Sequence, residues 1–135
     1  MKDHTIKVLV AESNDLSRFI IEKMLSKRGI SVITVSNFDA AVYELQRHSF
    51  SLVLLDTRLA EVQDVNFISD MNSVLEELGS KCVALTDGTH TTYTFDWENS
   101  GFKHKLEKPI RFEQLDQLLN DTIYSESLRD YVAAK

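Results

Sequence analysis

Proline and cysteine each occur once in this 135-residue chain, and glycine only four times. The lone Cys82 excludes an internal disulfide, which suits a reducing compartment. Its place inside an apolar run marks a buried thiol rather than a reactive one. Glycine is missing where a phosphate-cradling loop would need it. Ala11-Glu12-Ser13-Asn14, after the first apolar segment, contains none, and this counts against a dinucleotide-binding or P-loop enzyme. No apolar run approaches the length of a membrane span. Met1-Lys2-Asp3-His4 lacks a signal-peptide pattern, so a cytoplasmic location with no membrane partner is expected. Bases are outnumbered, 15 Lys and Arg against 21 Asp and Glu, for a net charge of -6. That argues against nucleic acid as a direct partner, since phosphate backbones select basic surfaces. The four histidines, His4, His48, His90 and His104, show no metal-ligand spacing.

What the chain does have is an ordinary apolar fraction, 43%, and a regular alternation of strand-like and helix-like segments. Its length suits one domain, 1–135, with the core at about 6–123 and the remainder a helix extension or tail. Strands are predicted at Ile6 to Val10, Ser31 to Val35, Leu52 to Leu55, Cys82 to Thr86 and, weakly, Lys103 to Leu106. Helices are predicted from Leu16 to Lys27 and from Phe38, behind the cap residue Asn37, to His48. A third follows the stripe Phe67, Ile68, Met71, Val74, Leu75 and Leu78, with Gly79 as its stop. Thr89 to Asn99 reads as a short, marginal helix, in which Tyr93 and Trp97 would share a face suited to partner contact. A last helix carries Phe112, Leu115, Leu118, Leu119 and Ile123, with a continuation toward Val132. Strand alternating with helix implies an α/β parallel sheet, helices on both faces and right-handed crossovers.

Chemistry collects where the strands should stop. The first apolar run leads to Glu12, the third ends in Asp56, the fourth in Thr86 and the fifth in Lys108-Pro109. Each residue alone is ordinary: a strand-end acid, a solvated lysine, a threonine cap. Together they place two acids, a hydroxyl and an ammonium at one edge of a sheet, the edge where open α/β folds hold ligands. That set suits metal-assisted phosphoryl chemistry.

Val8-Leu9-Val10-Ala11-Glu12-Ser13-Asn14, Leu52-Val53-Leu54-Leu55-Asp56, Val83-Ala84-Leu85-Thr86 and Leu106-Glu107-Lys108-Pro109-Ile110 together resemble the receiver domain of response regulators and hybrid histidine kinases. The resemblance covers Lys7 to about Ile123. It implies a doubly wound, flavodoxin-like five-stranded sheet in the order 2-1-3-4-5 and a cis bond before Pro109. It further implies that Asp56 accepts a phosphoryl group from a phosphohistidine on a histidine kinase or phosphotransfer protein. Thr86 and Lys108 would contact the phosphoryl oxygens. Mg²⁺ would be held by Glu12, Asp56 and the backbone carbonyl of Arg58. No other cofactor, and no enzymatic activity on a separate substrate, is expected. A downstream protein would read the 89–106 region and the last helix.

Several positions depart from the family pattern. Ser13 replaces the second metal-site acid, so Mg²⁺ binding should be weak, with Asp15 near enough in sequence to compensate. Ala60 and Asp64 stand where proline and glycine are frequent. Asp87 puts a further negative charge after Thr86. Lys105 takes the place of the aromatic switch residue, and neither His104 nor Phe102 aligns with it. Ser13, Asp87 and Lys105 support an alternative, a pseudo-receiver that keeps the fold as a phosphorylation-independent interaction module. A small flavin protein of similar topology is disfavoured by the acidic pocket.

Overall fold

A computed structural model describes residues 6–87 and 95–124. Five strands, β1 Lys7–Ala11, β2 Ser31–Val35, β3 Leu52–Asp56, β4 Lys81–Thr86 and β5 His104–Glu107, form one sheet in the order β2-β1-β3-β4-β5. Every neighbouring pair is parallel. Five helices complete the described fold: α1 Asp15–Ser26, α2 Phe38–Arg47, α3 Thr57–Ala60, α4 Val65–Glu77 and α5 Phe112–Leu119.

The sheet is apolar on both faces because its strands are, and the period of two sorts them. Val8, Val10, Leu52, Leu54, Val83 and Leu85 face α1 and α5, meeting Ile21, Leu25, Leu115 and Leu119. Leu9, Ala11, Val53 and Leu55 face the other way, meeting Phe38 and Ala41 of α2 and Ile68 and Leu75 of α4. All five residues of β3 are buried, as a central strand requires.

Local chemistry sets the helix boundaries. Asn14 caps α1 by accepting from the Ser17 N–H at 2.9 Å, so that helix starts at Asp15, ahead of the expected Leu16. Asn37 caps α2 as predicted, accepting from Ala40 at 2.8 Å. Asp64 caps α4 through the N–H groups of Asn66 and Phe67, which accounts for an acid where glycine is frequent. Gly79 turns the chain after α4 with φ +83°, a conformation that side chains disfavour.

Three expectations need correction. The stripe on α4 is wider than its buried face: Ile68 and Leu75 are buried, but Phe67, Val74 and Leu78 are exposed. Of the marginal helix, residues 88–94 lie outside the described residues, and Phe95 to Asn99 form turns without helix. The last helix ends at Leu119 and passes into a π turn, Asn120–Tyr124, where the Thr122 hydroxyl donates to the Leu118 carbonyl at 2.7 Å. The expected continuation beyond it lies outside the described residues.

Candidate functional site

The carboxyl ends of β1, β3, β4 and β5 converge on one pocket. Asp56 is the last residue of β3 and 1% exposed; Glu12, immediately after β1, is 0% exposed. Lys108 follows β5, with a cis bond to Pro109. Its N–H donates to the Thr86 carbonyl at 2.7 Å, which ties that loop to the end of β4. The Lys108 ammonium lies 2.7 Å from Glu12 Oε1 and 3.7 Å from Asp56 Oδ1. Two buried acids thus share one largely buried cation.

Each carboxylate has a further donor. Asp56 Oδ1 accepts from the Arg58 N–H at 3.0 Å, an arrangement made by the start of α3. Asp56 Oδ2 accepts from the Ser13 hydroxyl at 2.8 Å and from the Ser13 N–H at 3.3 Å. Glu12 Oε2 accepts from the Asn14 N–H at 3.0 Å.

This asymmetry separates the two acids. Burial, together with the neighbouring Asp56 carboxylate, raises the Glu12 pKa above the ordinary range, against the pull of Asn14 and Lys108. Burial opposes ionisation of Asp56 as well. There it is outweighed by hydrogen bonds from Glu12, the Arg58 N–H and Ser13 and by the charge of Lys108, so the Asp56 pKa is lowered. Asp56 therefore ionises first and Glu12 keeps a proton longer. An ionised, hydrogen-bonded carboxylate at the end of a buried strand is chemically suited to act as a nucleophile.

The family model for the response regulator receiver domain matches residues 8–120. This chain belongs to that family. Among its relatives is the autoinducer 2 sensor kinase/phosphatase LuxQ of Vibrio vulnificus, 28% identical over 116 residues, 85% of this chain but 13% of LuxQ. The fold is also that of the receiver domain of the sensor histidine kinase PA1611 from Pseudomonas aeruginosa, solved with magnesium coordinated in its active-site cleft. That likeness has a TM-score of 0.73 and 25% identity, over 88% of this chain and 98% of the other. A third relative, at fold level, is the receiver of Saccharomyces cerevisiae Ssk1, solved with the phosphotransfer protein Ypd1. Its TM-score is 0.68 and its identity 21%, over 87% of this chain and 88% of the other. The chain is thus a response regulator receiver domain, and the sheet order expected from the resemblance is the one observed.

Within this receiver, Glu12, Asp56 and Lys108 meet as the sequence implied. Thr86 ends β4 beside them, half-buried. Asp15 does not compensate for the missing acid: its side chain is 91% exposed and paired with Arg18 at 2.7 Å. Among the described residues no group of three or more His, Cys, Asp or Glu could hold a metal. The hard oxygen donors of Glu12 and Asp56 fit Mg²⁺ in kind, with one carboxylate fewer than the family pattern named above. Asp87 does not face the acceptor alone, because its carboxylate pairs with the Arg58 guanidinium at 2.9 Å. Lys105 is exposed on β5. Trp97 leans on the core, its ring centroid 4.3 Å from Phe95, rather than standing out for a partner. Tyr93 lies outside the described residues.

Two contributors escaped the sequence. Ser13 registered only as a lost acid, yet it supplies two donors to Asp56. Arg58 registered only as a carbonyl, yet its N–H holds Asp56 and its side chain holds Asp87. The signal was adjacency alone, one residue after Glu12 and two after Asp56, and adjacency does not reveal where a side chain points.

Proposed function

We propose that Asp56 accepts a phosphoryl group from a phosphohistidine and that the whole chain, 1–135, acts as a single cytoplasmic receiver, a signalling acceptor rather than an enzyme. The observation that carries this reading is the Asp56 carboxylate, buried at the carboxyl edge of the sheet beside the Lys108 ammonium. Lys108 and Thr86 stabilise the arriving phosphoryl oxygens, and Ser13 and the Arg58 N–H orient the attacking carboxylate. Glu12, Asp56 and the Arg58 carbonyl would hold Mg²⁺, weakly. When bound, the ion neutralises charge on the transferring group.

The phosphoryl donor is a histidine kinase or phosphotransfer protein, and the edge formed by α1 and α5 is the surface offered to it. Phe19, Ile20 and Phe112 are exposed there, around a groove of about 480 Å³. Lys23, Lys27 and Arg111 line it against one acid, Glu113, giving an acidic chain a locally basic, apolar face. A downstream protein would read β5 and the last helix, where Lys105 stands exposed. Among the described residues no helix is long and apolar enough to cross a membrane.

The test is incubation with acetyl phosphate and Mg²⁺, read by intact mass. A single phosphoryl adduct in wild type, absent from Asp56→Asn, is expected. An intact fold that takes no adduct at any Mg²⁺ concentration would favour the phosphorylation-independent module instead.

A further inference from the structure

Beside the acceptor, the last residue of β3, Asp56, stands opposite Leu85, one residue before the end of β4. Two residues beyond each stand Arg58 and Asp87, joined by an ion pair of 2.9 Å across the pocket's edge. Arg58 already touches the acceptor through its backbone, at 3.0 Å from Asp56 Oδ1. Its guanidinium is therefore tethered within the neighbourhood of any group attached to Asp56. The Arg58 side chain is 61% exposed and that of Asp87 25%. The pair is thus partly exposed, and ion pairs near the surface are held weakly.

A phosphoryl group on Asp56 changes the balance. It brings close to two negative charges and three acceptor oxygens, which a guanidinium can grip with two parallel bonds. The same group repels the Asp87 carboxylate, which already lies beside the end of β4. We propose that Arg58 is a phosphoryl-binding residue that the resting chain holds on Asp87, and that phosphorylation of Asp56 transfers its guanidinium from Asp87 to the phosphoryl oxygens. This rests on the reading of Asp56 as acceptor. With acetyl phosphate, the Asp56 oxygen–phosphorus bond forms as the donor's phosphorus–oxygen bond breaks, and the electron pair leaves on acetate. Arg58 takes part in neither bond; it acts by contact with the oxygens.

The experiment is the rate of adduct formation from acetyl phosphate and Mg²⁺, by intact mass, in the full chain and four variants, with circular dichroism confirming the fold. Asp87→Asn releases Arg58 and should accept phosphoryl faster than wild type. Arg58→Gln should slow acceptance about tenfold, the loss of one charged hydrogen bond, and Arg58→Lys should restore part of it. Arg58→Gln should also slow acceptance when combined with Asp87→Asn. If the double variant matches Asp87→Asn alone, Arg58 only neutralises Asp87 and the exchange is refuted. Unchanged rates in both single variants refute it as well, while leaving Asp56 as acceptor. A wild type that takes no Asp56-dependent adduct overturns the acceptor reading, and this proposal with it.

Discussion

Ser13 is the residue on which the pocket turns. It takes the place of an acid and uses its hydroxyl, 2.8 Å from Asp56 Oδ2, to hold the acceptor instead of a metal. Ser13→Asp should tighten Mg²⁺ binding, measured by titration calorimetry; unchanged affinity would mean that the position does not face the ion. Glu12 gives a second handle through pH. Its folded pKa lies above the ordinary 4.5, so the native chain binds its proton more tightly than the unfolded chain. Stability from this group therefore falls as pH rises above 4.5 toward the folded pKa. Asp56 has the opposite sign: its contribution is present above 3.8 and is lost as pH falls through the lowered folded value. Denaturant unfolding of Glu12→Gln against wild type should show the difference moving in the variant's favour as pH rises above 4.5. A difference that is flat with pH would contradict the assignment.

At the scale of elements, the strands carry the argument. β3 is buried throughout, and Leu54 faces the α1 and α5 layer at 0% exposure. Leu54→Ala should destabilise the fold by about 2–5 kcal/mol in denaturant unfolding, the cost of a cavity that cannot fully collapse. β1 and β3 were legible as apolar runs and β5, with Leu106 as its one apolar residue, only weakly; each extends one residue further toward its carboxyl end than the residue pattern indicated. Ala11, Asp56 and Glu107 still pair in the sheet although two of them are acids, because parallel pairing is a backbone matter and does not stop at the last apolar side chain. Helix α3 was not legible. Its four residues carry no period, and it starts because the Asp56 side chain accepts from the Arg58 N–H. On α1 Met24 and Leu25 are buried, whereas Phe19 and Ile20, apolar at the same helical period, are exposed. Periodicity marks apolar residues without saying whether the sheet or a partner covers them.

At the scale of the whole molecule, the site was legible because four strand ends share one edge, and that follows from parallel topology alone. The bonds within it were not, since Ser13 and Arg58 act through atoms whose direction only the fold fixes. The same topology places the exposed α1 residues beside the acceptor, as α1 begins three residues after Glu12. Phe19→Glu should slow transfer from a phosphorylated phosphotransfer protein by about tenfold or more, as loss of a buried aromatic contact would. Transfer from acetyl phosphate should stay unchanged; equal slowing with both donors would place the defect in the pocket rather than in docking. Trapping tests whether Asp56 is the acceptor. Borohydride reduction of the acetyl phosphate-treated chain, followed by peptide mapping, should convert Asp56 to homoserine and leave Glu12, Asp64 and Asp87 intact. Reduction at another carboxylate, or at none in a chain that remains folded, would contradict it.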